Sequence, residues 1–236
     1  MVFAKPPTRL QRSELMYHNY TAERLEKKAI EILSKYNKSL ITEPQEMDVY
    51  HFAECFLDLT TDYKNISNDK SLLGLTCFND GLLEVWDDDR KNPYFIDVVK
   101  GTIIIDNDVL ENHVVGRERF TVIHECSHQI LHPRFYYKAS SEKSPVVKCA
   151  MRDIEGTYKP YSDEQIREWQ ANRLGAALIM PAEATKNLIS VIIKKSYEDL
   201  ELPISLSSSS IHEMALVFNV SDFAMRIRLN ELGITC

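Results

Sequence analysis

The stretch His124-Glu125-Cys126-Ser127-His128 constrains this chain more than any other. In an α-helix, residues four apart share a face, so both imidazoles can reach one point. Glu125 lies about 100° round the helix from His124, beside that point rather than on it. Two ligands, an open coordination position and a carboxylate able to take a proton from water are what a zinc-dependent hydrolytic site requires. A helix is expected here on independent grounds. Phe120, Ile123, Ser127, Ile130 and Leu131 form a mostly apolar stripe, with both histidines at its edge. Pro133 predicts its end, because proline has no backbone donor and biases the residue before it away from helix. His132 is also four residues from His128, but that pair carries Gln129 where a carboxylate would be needed, so His132 is read as structural. Cys126 faces away from both histidines and is read as a small packing residue.

A third ligand is expected downstream. Ser162-Asp-Glu-Gln165 is a capping box that opens a second helix, which runs through Met180 and stops at Pro181. Glu168, Asn172 and Gly175 share one face of it, and the small residues at 171, 175 and 176 allow another helix to approach closely. Glu168 is therefore the candidate third metal ligand, with Asn172 one turn on as a side chain that orients the ligands. The long connection 133–160 separates the two helices and is expected to be a lid or substrate-facing flap. It carries Tyr136, Tyr137, Arg152 and Tyr158, any of which could donate a hydrogen bond to a transition state.

Composition narrows the classes. A net charge of −7 argues against broad electrostatic binding to nucleic acid or anionic membranes. Met1–Thr8 holds no apolar run of a signal peptide, and no stretch has the length of a transmembrane helix. Five cysteines without C-x-x-C spacing suggest reduced thiols, so a cytoplasmic protein is expected.

Residues 1–19 read as a polar arm. Thr21 to about Tyr36 reads as a charged helix with a stripe of Leu25, Ala29, Ile32 and Leu33. Pro44 suits the first turn of a helix over roughly 45–57. Leu72–Phe78 and Leu82–Trp86 read as strands joined through Asn79-Asp80-Gly81, a hairpin signal. Asp87 to Pro93 is a polar turn, and Thr102–Ile105 a third strand. The edge of this sheet could hold an extended peptide by strand addition. A further helix follows over about 182–194, then a serine-rich linker, Ser205–Ser210. Ser210-Ile-His-Glu213 predicts a helix to Phe218, and Ser221 caps a last one to about Leu232. The pair resembles a helix-turn-helix. Arg226 and Arg228 are balanced by Glu213, Asp222 and Glu231, so a packing or partner-docking role is expected over DNA binding.

Arg117-x-Arg-Phe-Thr-x-x-His-Glu-x-x-His-x-x-Leu-His132, then Glu168-Trp-x-Ala-Asn172-x-Leu-x-Ala-x-Leu-x-Met-Pro181, then Met214-Ala-x-x-Phe-x-Val-Ser221 with Arg228-Leu, together resemble the ImmA/IrrE family of bacterial metallopeptidases. The likeness runs from about residue 20 to the end. It implies a gluzincin-like site with His124, His128 and Glu168 as zinc ligands and Glu125 as general base; manganese or another divalent ion suits such ligands too. It also implies a substrate: a helix-turn-helix repressor of phage, mobile-element or stress genes, cleaved to relieve repression. The sequence departs from the family at Cys126-Ser127, where Leu-Gly is usual, and at Leu174-Gly175, where Phe-Ala is usual.

The expected fold is thus α+β and mostly helical. It comprises the arm 1–19, a zincin-like metallopeptidase domain over 20–200 with a small antiparallel sheet of about three strands, and a C-terminal helix-turn-helix-like unit over 201–236 packed on it. The expected activity is zinc-dependent endopeptidase action on a protein substrate, with no membrane partner and no direct nucleic-acid binding. The alternatives are an antirepressor or metal-dependent sensor that binds a repressor without cutting it, and a DNA-binding regulator.

Overall fold

The structure is a computed structural model and describes residues 20–111, 116–133, 146–149, 163–197 and 204–234. The arm 1–19, the capping residue Ser162 and the donor candidates Tyr136, Tyr137, Arg152 and Tyr158 lie outside the described residues.

Helix α1, Ala22–Tyr36, starts where the Thr21 hydroxyl accepts from the Arg24 amide, and it buries Leu25, Ala29 and Leu33 as its apolar stripe predicts. The helix expected over 45–57 is shorter. After a 3-10 turn at Lys38–Ile41, α2 covers only Val49–His51, capped by the Asp48 carboxylate, and then widens into a π-helical turn at Phe52–Phe56. The wider turn buries Phe52 and Ala53.

The strands pair differently from the sequence expectation. They are β1 (Thr60–Lys64), β2 (Gly74–Cys77), β3 (Gly81–Trp86), β4 (Pro93–Val98), β5 (Thr102–Asp106) and β6 (Val146–Cys149). The larger sheet has four strands in the order β1-β5-β2-β6, with β1 parallel to β5 and the other pairs antiparallel. The strands β2 and β3 form no hairpin across Asn79-Asp80-Gly81; β3 pairs with β4 in a separate two-stranded sheet. The polar segment after Trp86 is that hairpin's turn. Asp87 there accepts from the backbone of Lys91 and Asn92, and Arg90 takes a positive φ of 55°.

This layering explains why β5 reads apolar throughout. Ile103 and Ile105 face the main core, while Ile104 faces a second cluster with Leu75, Leu83, Val85 and Val98 under the hairpin. A strand covered on both faces loses alternation. The Arg90 guanidinium ties the hairpin to the sheet, with two hydrogen bonds to the buried Asp106 carboxylate.

Helix α3 (Asn107–Glu111) leads towards α4 (Arg117–Leu131), the helix that carries His124 and His128. Helix α4 lies between the sheet and α5 (Asp163–Ile179), so residues Thr121 through His128 are all buried. Part of the 133–160 connection is strand, not loop. Its segment β6 pairs with β2, so the outer strands of this sheet, among the described residues, are β1 and β6.

Helix α6 (Ala182–Ile193) follows the kink at Pro181, then α7 (Ser208–Phe218) and α8 (Asp222–Glu231). The serine-rich segment is partly helical. Ser207, not Ser210, caps α7, because its side chain accepts from the Ser210 amide. Ser221 caps α8 as expected. The main core runs through both regions, from Leu25 to Ile234. Arg228 is fully buried; it grips Glu26 of α1 with two hydrogen bonds and donates Nε–H to the Met180 carbonyl. One of the two arginines of this unit is therefore committed to packing. Among the described residues, no single helix is long and apolar enough to cross a membrane.

Candidate metal centre

Helix α4 is clamped along its length. It starts at Gly116, which has φ +73° and no room for a side chain: a Cβ there would sit 2.6 Å from the Val220 Cα. In its first turn Glu118 accepts hydrogen bonds from the hydroxyls of Tyr50 and Tyr63, and a carboxylate at this end also suits the helix dipole. Arg119 donates to the Met47 carbonyl and pairs with Glu46. Further along, the Gln129 amide donates to Thr76 Oγ1 and to the Cys77 carbonyl of β2.

Helix α5 crosses against α4 at its small residues. A Cβ at Gly175 would lie 3.4 Å from Ile123 Cγ2, 3.6 Å from Ser127 Oγ and 3.7 Å from the His124 amide nitrogen. Ser127 and Gly175 thus face each other across the contact.

This contact brings the expected ligands together. His124 Nε2 and His128 Nε2 are 3.1 Å apart, and Glu168 places Oε2 3.2 Å from the first and Oε1 3.3 Å from the second. One donor atom from each residue falls within 4.8 Å of the others, a spacing that could hold one ion. Both histidines are fully buried, while the Glu168 side chain keeps 21% exposure, so the cluster is reached from the Glu168 side. Asn172 sits where the helix face predicts: its Oδ1 is 2.8 Å from His124 Nδ1. An amide oxygen can only accept, so it holds a proton on Nδ1 and leaves the Nε2 lone pair facing the cluster.

The residues fit a cation. Glu168 Oε2 is buried with no hydrogen-bond donor, which costs free energy unless a positive charge faces it. Protonation responds to the same field. Burial lowers the pKa of His128 to about 4, against the pull of Glu168. His124 moves the other way: burial lowers it, but Glu168 and Glu125 together raise it further. Burial would raise Glu168, yet the two histidines hold it well below the ordinary carboxylate range. A proton drawn in between His124 and Glu168 would compete with a metal for the same lone pairs, so binding of a metal by these residues would release it.

Glu125 is buried beside the candidate ligands, against β2. Gly74 makes the room: a Cβ there would lie 3.1 Å from Glu125 Oε1 and 2.6 Å from Thr121 Cγ2. Gly74 is not among the residues expected at the site, although a glycine inside a strand pattern signals a close approach of this kind. Nor is Gln170, which approaches the cluster through His132. A helical wheel places Gln170 about 200° from Glu168, away from the face that identified the ligands. His132, read as structural, lies behind the cluster, with its Nδ1 3.0 Å from His128 Nδ1. Cys126 is buried on the far side, as expected of a packing residue.

A comparison with curated proteins found no match. A family model does match, described as the IrrE N-terminal-like domain of Peptidase M78, over residues 109–230, just over half of the chain and inclusive of both helices that carry the candidate ligands. The resemblance first seen in the motifs is therefore one of descent, and the chain belongs to the ImmA/IrrE family of metallopeptidases.

Proposed function

We propose that this protein is a cytoplasmic zinc-dependent endopeptidase that cleaves a helix-turn-helix transcriptional repressor and so relieves repression of phage, mobile-element or stress genes. In this reading His124, His128 and Glu168 hold the metal and Glu125 is the general base. The observation that carries it is the meeting of two imidazole Nε2 atoms with the Glu168 carboxylate, beside a buried second carboxylate. A bound zinc ion supplies Lewis acidity: it makes water acidic enough to ionise near neutral pH and polarises a carbonyl. Glu125 takes the proton from the attacking water and delivers it to the leaving amine nitrogen. The choice of a repressor as substrate rests on the family resemblance. Residues 20–200 form the metallopeptidase domain, and 201–236 a helical unit that packs on it; the burial of Arg228 supports a packing role for that unit.

The test combines metal content with cleavage. Wild type, Glu125→Gln and Glu168→Ala are loaded with zinc, dialysed and incubated with helix-turn-helix repressors encoded beside the gene. Expected are near-stoichiometric zinc and a cut repressor for wild type, zinc without cleavage for Glu125→Gln, and loss of zinc for Glu168→Ala. A stable complex with uncut repressor for the zinc-loaded wild type would favour the antirepressor alternative.

A further inference from the structure

The proposed ligand His128 also belongs to a buried chain of hydrogen bonds that runs away from the cluster through its other ring nitrogen. Its Nδ1 lies 3.0 Å from His132 Nδ1, and His132 Nε2 lies 3.0 Å from Gln170 Oε1. His128 and His132 are fully buried and Gln170 is 1% exposed.

We propose that Gln170 and His132 are positioning residues that decide which nitrogen of His128 carries its proton, and so make His128 a metal ligand. Buried imidazoles favour their neutral form, and a neutral ring has one N–H and one lone pair. Between the two Nδ1 atoms there is room for a single proton. The Gln170 carbonyl can only accept, so it requires N–H at His132 Nε2. His132 Nδ1 is then a lone pair and accepts from His128 Nδ1–H. That leaves His128 Nε2 unprotonated, facing His124 Nε2 and Glu168. The opposite order would put two acceptors, His132 Nε2 and Gln170 Oε1, face to face in a dry interior. It would also place a proton on His128 Nε2, where the metal must bind. Helix α5 thus sets both ligand tautomers, that of His124 directly through Asn172 and that of His128 through His132.

The inference rests on the metal-site reading, but it has a test independent of zinc. In the metal-free protein at pH 8, long-range proton–nitrogen NMR correlations should show the proton on Nδ1 of His128 and on Nε2 of His132. A proton on His128 Nε2 would overturn the proposal whether or not zinc binds. The second measurement is zinc affinity by competition with a chromophoric chelator. His132→Leu fills the space but accepts nothing, whereas His132→Gln restores an acceptor near His128. Loss of a partner behind a metal ligand typically weakens binding by about 10–100-fold. Such a loss is expected for His132→Leu and for Gln170→Met, with most of the affinity recovered in His132→Gln. A purely structural histidine would give the reverse order, with leucine the better replacement; that order, or wild-type affinity in both His132→Leu and Gln170→Met, would overturn the proposal. Failure of the wild type to bind zinc would instead overturn the metallopeptidase reading, and the NMR result would still decide the proton order.

Discussion

The side-chain oxygen of Asn172 lies 2.8 Å from Nδ1 of His124, so the helix that carries Glu168, the proposed third ligand, also orients His124, the proposed first. Replacing it by an apolar side chain of similar size removes the acceptor and frees the imidazole to carry its proton on either nitrogen. Asn172→Leu is expected to weaken zinc binding by about 10–100-fold, while Asn172→Asp, which still accepts, retains affinity much nearer wild type. Competition with a chelator measures both, and equal affinities would remove Asn172 from the site.

Gly74 predicts a different signature. Even the methyl group of Gly74→Ala would meet Thr121 Cγ2 at 2.6 Å and Glu125 Oε1 at 3.1 Å. The strand or the helix must shift, at a cost of about 1–3 kcal/mol by the usual scale of overpacking. The shift acts on Glu125, not on the ligands. Urea denaturation should therefore show the lost stability, and cleavage should fall while zinc content is retained.

The buried thiols should be silent. Burial, with the nearby Glu125 charge, pushes Cys77 up to about 12, and burial likewise raises Cys126 well above the ordinary thiol range. Reactivity follows the thiolate. At pH 8 a disulfide reagent should label the exposed Cys55 in the native protein and leave Cys77 and Cys126 untouched until denaturant is added. Labelled positions are read by peptide mass mapping.

Two carboxylates beside the same buried arginine should behave in opposite ways. Glu26 accepts two hydrogen bonds from the Arg228 guanidinium, at 2.5 and 2.8 Å, whereas Glu231 accepts one at 3.4 Å, so Glu26→Leu leaves a buried charge without its main partner. The expected loss is about 3–5 kcal/mol, read by chemical denaturation. Glu231 is held above the ordinary carboxylate pKa, because burial outweighs Arg173 and Arg228. A raised folded pKa means that the stability it contributes is present below the unfolded value and is lost as pH rises through the folded one. Glu231→Gln removes that loss. The variant should therefore gain on wild type as pH is raised from the ordinary carboxylate range towards neutrality. A relative loss over that interval would contradict the burial argument.

How much of this was legible in the chain follows from how far each interaction reaches. His124, Glu125 and His128 share one helix, so the 3.6-residue period alone places them, and the face carrying Glu168, Asn172 and Gly175 is set the same way. Local chemistry also placed Thr21 and Ser221 at their helix starts, and the polar turn after Trp86. The pairing of strands was not legible. Asn79-Asp80-Gly81 satisfies a hairpin rule, yet β2 lies between β5 and β6, and β3 pairs onward with β4. A turn signal is a local preference, and pairing that buries two faces of a sheet outweighs it. Strand β1 was missed because Thr60–Lys64 is only partly buried and shows no clean alternation.

The sequence by itself determined which residue types stand at helical spacing, and with them the candidate ligands, the candidate base and the family resemblance. Only the tertiary structure decided that Gln170 reaches His132, that Gly74 clears space for Glu125, and that Arg228 is spent on Glu26. Each of these depends on where one element crosses another, and crossing is set by the summed packing of the whole core rather than by any stretch of chain.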